Sequence, residues 1–129
     1  MQLALNYIKN NKTVLEVNHP YVAQNQQCPN ISDSFKIENW HNLSSMDMLE
    51  FLKALKDRPV TVAYHASNHS FGYAGGVIAL NDTEFCPAAG GVNHGVVAVG
   101  YSINSSEGSW IKFKNSWGQN WGENGYFRM

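Results

Sequence analysis

Two short runs near the C-terminal end constrain the fold most: Gly90-Gly-Val-Asn-His94-Gly-Val-Val-Ala-Val-Gly-Tyr101 and Lys114-Asn115-Ser-Trp117-Gly-Gln-Asn-Trp121-Gly-Glu-Asn-Gly-Tyr126. Residues 95–101 are continuously apolar, the pattern of a buried strand. A polar turn over residues 104–108 joins them to a second strand, residues 109–114. Each run therefore sets one polar residue, His94 or Asn115, beside an apolar strand able to hold it still. Small residues flank His94 and leave room for a group to approach the imidazole. Trp117 is close enough in sequence to cover the Asn115 amide. A base and its orienting group are built in this way. Against that stand plainer readings: a lone histidine beside a strand is by default a hydrogen-bonded structural residue, and Trp117 and Trp121 are by default core aromatics.

At 129 residues the chain has the length of one domain and can bury a sizeable core. Charged residues make up 15% of it and the net charge is -1. That leaves no basic face for non-specific binding to nucleic acid or to an anionic membrane. No apolar run approaches the ~20 residues that span a bilayer. The first residues, Met1 to Ile8, lack the basic start, long apolar centre and cleavage site of a signal peptide. Asparagine is common, and Asn-x-Ser/Thr sequons stand at Asn11, Asn30, Asn42, Asn68, Asn81 and Asn104. They read either as glycosylation acceptors on surface loops of a secreted protein or as a by-product of an Asn-rich composition. Cys28 and Cys86 are the only cysteines; both precede proline, neither lies in a Cys-x-x-Cys pair, and both read as structural loop cysteines.

Along the chain, Met1, Ala4, Leu5 and Ile8 recur at helical spacing and predict a helix ended by Asn10-Asn11-Lys12. Residues 14–22 read as an extended segment pinned by Pro20, residues 24–34 as a loop, and residues 35–40 as a short strand. A helix is expected to start from a serine cap at Ser44 or Ser45, with Asp47 in its first turn and Met48, Leu49, Leu52 and Leu55 on one face. Pro59 follows, and residues 60–65 predict a strand with Val60, Val62 and Tyr64 on one side. Residues 72–76 form a glycine-rich turn, residues 77–80 an apolar run, and residues 126–129 the start of a last strand. A strand with no turn or tail after it leads us to expect that the chain is part of a longer domain. His65 and His69, four apart, lack the glutamate of a zinc-hydrolase helix and fall on strand and loop, so no metal is expected there; no organic cofactor is expected either.

The His94 and Asn115 runs resemble the corresponding segments of papain-like cysteine peptidases, the family that includes the cathepsins and serves as a standard example of a Cys-His-Asn set. The resemblance extends to Leu15-Glu-Val-Asn-His19-Pro20-Tyr21-Val22 with Cys28 after it, although His19 stands where tyrosine is usual. It also covers residues 59–63, Gly75-Gly76 and Cys86-Pro. What it implies is an α+β papain-like fold, incomplete: residues 1 to about 30 from the tail of the helical lobe, about 31–129 most of the antiparallel β-barrel-like lobe. His94 would be general base and acid, Asn115 its orienter, and Trp117 the shield of their bond and part of the leaving-group side of the cleft. Ala63, Val92, Asn93 and Gly95 would surround the substrate's second residue, where small neutral groups suit an apolar side chain. Both cysteines resemble members of disulfides with partners outside the chain, so Cys28 and Cys86 are not expected to pair with each other.

In this family the nucleophile lies ~130 or more residues before the histidine, in a Cys-Gly-Ser-Cys-Trp type of segment. Only 93 residues precede His94 here. The resemblance therefore implies a peptidase acting on peptides or proteins, whose partner is a missing N-terminal half bearing the cysteine, and a chain that is inactive by itself. The alternative is a non-catalytic chain: a truncated product, a pseudoenzyme or a binding chain with no activity of its own. The family and the sequons together imply a lysosomal, vacuolar or extracellular location. A lobe separated from its partner is expected to expose apolar surface and to be marginally stable.

Overall fold

The stripe of Met1, Ala4, Leu5 and Ile8 forms a helix, α1 (Gln2–Asn11), which stops where Lys12 takes a left-handed φ of 65°. The computed structural model describes residues 1–29, 34–43, 47–79, 81–85 and 91–129. By packing, the chain divides into two units, Met1–Asn42 and Leu43–Met129. The lobe boundary expected near residue 30 falls within 30–33, outside the described residues.

In the first unit α1 buries no residue, and Leu3 is 85% exposed. Polar side chains hold it instead: Trp40 Nε1 donates to Asn6 Oδ1 at 2.9 Å, and Lys9 Nζ donates to Asn39 Oδ1 at 3.1 Å. Two-residue strands β1 (Thr13–Val14) and β2 (Ser34–Phe35) pair antiparallel. Two expectations fail in this unit. The segment 14–22 is not extended throughout: Asn18 N–H closes a turn on Leu15 O at 3.0 Å. The strand expected over 35–40 ends at Phe35; its neighbour β1 is too short to pair with more.

The second unit carries the sheet. Helix α2 (Met48–Asp57) is capped by Asp47, whose side chain accepts from Glu50 N–H at 2.9 Å. Asp47 is thus the cap itself and not a first-turn residue, since its extended backbone frees the carboxylate to reach the helix start; Ser44 and Ser45 lie outside the described residues. Strand β3 (Val60–Tyr64) turns Val60, Val62 and Tyr64 inward as their alternation predicts. A one-turn helix, α3 (Asn68–Phe71), follows, which periodicity did not reveal. Then come β4 (His94–Ser105), β5 (Gly108–Lys114) and β6 (Tyr126–Arg128). All pairs are antiparallel in the order β3-β4-β5-β6, and α2 lies against β4. The apolar run of β4 is not buried throughout: Val96 and Ala98 are enclosed, whereas Val99 is 36% exposed. Alternation of the pleat sends successive side chains to opposite faces, whatever their hydrophobicity.

Tyr73, Ile78, Val96 and Phe127 form the core, with Val62, Tyr64, Phe113 and Trp121 packed against it. Phe113 and Phe127 face each other across the β5–β6 pair and stack at 4.9 Å. Behind them a charged cluster closes the sheet. Arg128 donates to both Glu123 oxygens through Nε at 3.0 and 2.9 Å, and it pairs with Glu107 at 2.5 Å. Tyr73 Oη donates to Gly76 O at 2.6 Å and accepts from Arg128 N–H at 3.3 Å. Burial pushes the Tyr73 phenol up. The Arg128 guanidinium holds the Glu123 carboxyl below its ordinary value, against a smaller opposing effect of burial, and Glu123 raises Arg128 in turn.

Two outcomes follow. Gly122 has φ 57°, and a Cβ there would stand 2.5 Å from Tyr126 O; Gly122→Ala should cost at least about 2 kcal/mol of stability in urea unfolding followed by tryptophan fluorescence. Because the folded Glu123 carboxyl is more acidic than its ordinary 4.5, its contribution is present above that pH and is lost as pH falls through the folded value. Urea midpoints measured down the acid range should show this loss, and Glu123→Gln should flatten it; an unchanged acid limb in the variant would rule the assignment out.

Candidate active site

The sheet register decides where the polar groups fall. Tyr64 pairs with His94 and Val62 with Val96, so His94 opens β4 on the same face as the core residue Val96. On the other side Val97 pairs with Lys114, and the chain leaves β5 at Asn115. There the loop 115–125 is tied down: Asn115 N–H donates to Gly125 O at 2.9 Å, and Gly125 N–H to Trp121 O at 2.7 Å. These two constraints bring His94 Nε2 to 2.8 Å from Asn115 Oδ1.

The Asn115 amide sets the direction of that bond. Asn115 Oδ1 also accepts from Ser116 N–H at 2.8 Å, which fixes the oxygen end of the amide. An acceptor facing Nε2 requires the imidazole proton to sit on Nε2. In the neutral ring Nδ1 is then a lone-pair base, and among the described residues no group hydrogen-bonds it. Asn115 itself is only 8% exposed, and its Nδ2 is a buried donor without a partner among the described residues. Leaving such a group unmet costs about 1–3 kcal/mol.

Aromatic rings enclose the imidazole. Trp117 stacks on His94 at 4.9 Å, Phe71 stacks on Trp117 at 4.6 Å, and Trp121 meets Trp117 edge-on at 4.9 Å. Tyr64 presents to His94 at 5.7 Å in an edge arrangement. The indole expected over the Asn115 amide thus lies along the imidazole ring. Trp121 ties the ensemble to α3 by donating from Nε1 to Ser70 O at 3.0 Å.

Of the residues expected around a substrate side chain, Ala63 and Gly95 are register partners and both are exposed. Val92 is 69% exposed. Asn93 is exposed too, but both ends of its amide meet one residue: Oδ1 accepts from Ala66 N–H at 2.7 Å and Nδ2 donates to Ala66 O at 3.1 Å. This clamp prolongs the β3–β4 ladder one step past its last pair and holds the entry to α3. Sequence reasoning missed the clamp and Phe71; the only local sign was the Ser67-to-Ser70 spacing, where Ser67 N–H donates to Ser70 Oγ at 3.2 Å. His65 Nδ1 donates to Gly91 O at 2.8 Å, His69 pairs with Glu84 at 3.4 Å, and among the described residues no three side chains are grouped to hold a metal. Cys28 is exposed, and Cys86 lies outside the described residues.

No helix among the described residues is long and apolar enough to cross a membrane. A family model described as papain family cysteine protease matches residues 1–129. The senescence-specific cysteine protease SAG39 of Oryza sativa subsp. indica is 36% identical over 124 residues, covering 95% of this chain and 35% of that protein. Vignain of Phaseolus vulgaris is 35% identical over 134 residues, covering 100% of this chain and 35% of its own length. The chain thus spans about a third of the curated relatives it matches. Among solved structures, bromelain from Ananas comosus with the E64 inhibitor superposes with TM-score 0.80 at 30% identity, over 98% of this chain and 57% of that one. Digestive procathepsin L 3 of Tenebrio molitor larval midgut gives 0.82 at 30% identity, over 97% and 40%. With the papain-like fold present in part, and a family match running the length of the sequence, the chain belongs to the papain family of cysteine proteases.

Proposed function

We propose that this chain supplies the histidine and asparagine of a cysteine peptidase whose nucleophile lies in a segment these 129 residues do not include. The observation that carries the reading is the 2.8 Å bond from His94 Nε2 to Asn115 Oδ1, which leaves Nδ1 as the basic atom. In the complete site a cysteine S–H gives its proton to His94 Nδ1, and the thiolate attacks the scissile carbonyl carbon. The imidazolium then protonates the leaving amine, a thioester remains, and His94 activates the water that releases it. Asn115 keeps the ring oriented through both proton transfers, as a neutral counterpart of a triad aspartate. Trp117, stacked on the ring, excludes water from that bond. The buried, unpartnered Asn115 Nδ2 supports a further segment closing over the site, since such a donor is ordinarily met.

Ala63, Val92, Asn93 and Gly95 form the wall that receives the substrate's second residue in this reading. Residues 1 to about 30 belong to the helical lobe and the rest to the β-rich lobe, and the protein works in a lysosomal, vacuolar or extracellular compartment. Without its nucleophile the chain hydrolyses no peptide.

A chimera carrying this chain in place of the matching C-terminal part of a papain-family relative tests the assignment. It should hydrolyse a fluorogenic dipeptide, His94→Ala should lower kcat/KM by at least about 10³-fold, and Asn115→Ala by about 10²-fold. The unfused chain should show no turnover. Full activity in the His94 variant would end the proposal. Profiled on a peptide library, the chimera should favour apolar residues at the second position; a strong preference there for Arg or Lys would refute the wall we assign.

A further inference from the structure

The sequons play no part in the peptidase reading, and the fold treats them differently. The Asn11 amide donates to Tyr7 O at 3.4 Å, and Asn42 Oδ1 accepts from Gln2 Nε2 at 3.2 Å. The hydroxyl residue of the Asn68 sequon, Ser70, is 1% exposed and its Oγ accepts from Ser67 N–H. Asn30 lies outside the described residues. Asn81 and Asn104 remain, and in both sequons the asparagine and the hydroxyl residue, Thr83 or Ser106, are exposed.

Asn104 is also presented by a built turn. It sits near the tip of the β4–β5 hairpin, within the register shift between Ser102 and Ser105, with a left-handed φ of 58°. Its backbone is fixed, because its N–H donates to Ser109 Oγ at 3.2 Å. Ser105 holds the turn by donating from Oγ to Gly108 O and accepting from Glu107 N–H. Among the described residues nothing hydrogen-bonds the Asn104 amide or the Ser106 hydroxyl, and the neighbouring Ile103 is 57% exposed. Ten residues of strand separate Asn104 from His94, about 30 Å at the rise of a β-strand, so a bulky group at the tip stays clear of the imidazole.

We propose that Asn104 is an N-glycosylation site, its ligand an oligosaccharide delivered from a lipid pyrophosphate. Asn104 Nδ2 bonds to the anomeric carbon of the sugar as the bond from that carbon to the pyrophosphate oxygen breaks, and the displaced amide proton passes to a base of the transferring enzyme. Ser106 provides the hydroxyl that such transfer requires. The glycan covers Ile103 and keeps the hairpin tip in solvent. The proposal rests on the secretory placement within the functional reading above.

The test is to express the full chain behind a secretion leader in eukaryotic cells and to map its peptides by mass before and after amidase treatment. The peptide containing Asn104 should carry the glycan in most molecules, and Asn104→Gln and Ser106→Ala should each abolish it. Ser106 is exposed and, among the described residues, its hydroxyl makes no hydrogen bond, so its loss acts through the sequon alone. Secreted chain with Asn104 unmodified, or a glycan that survives Ser106→Ala, would overturn the site. Since the leader forces entry into the pathway and the readout is mass, this outcome is independent of whether the protein is a peptidase.

Discussion

Strand register is the constraint on which the site depends. Tyr64 opposite His94 and Lys114 opposite Val97 are ladder pairs with no chemistry of their own, yet together they fix the imidazole and the amide within hydrogen-bonding distance. A slip of one residue in either pair would turn every side chain of that strand to the opposite face and separate them. The core specifies the register through Val62, Val96, Phe113 and Phe127, which must all face inward together. Packing energy, proportional to buried apolar area, is thus what maintains the polar geometry.

Around the imidazole, orientation is set redundantly. The bond to Asn115 fixes the tautomer, stacking with Trp117 fixes the ring plane, and Phe71 and Trp121 hold the indole from two further directions. The Asn93 clamp on Ala66 and the Trp121 bond to Ser70 both bear on the segment that carries Phe71. Trp117 is the centre of these contacts, meeting His94, Phe71 and Trp121. Such preorganisation would let His94, in the role we propose for it, act without reorganising at the moment of proton transfer.

Much of this was legible in the sequence. Alternation marked β3, the Asn104–Gly108 turn marked the hairpin, and the apolar stripes marked both long helices, because each signal is local. His94 and Asn115 stood out through their motifs, and their hydrogen bond joins residues 21 apart. What escaped was mostly long-range or geometrical. The Asn93 amide matches the Ala66 backbone only once β3 and β4 are paired, and Phe71 finds Trp117 46 positions further along the chain. The short α3 lacks the length for a periodic signal, and the strand expected over 35–40 failed because pairing partners, not propensity, set strand length.

The two borders of the four-stranded sheet differ. At β6, Val77 bridges Arg128 and Glu123 bridges Tyr126, so the outer backbone groups of that three-residue strand are met by the chain's own loops. At the opposite border β3 pairs, among the described residues, with β4 alone. Its first residues, Val60, Thr61 and Val62, are β-branched and suit an extended backbone. The Arg128 border is thus closed to strand addition by the chain's own loops.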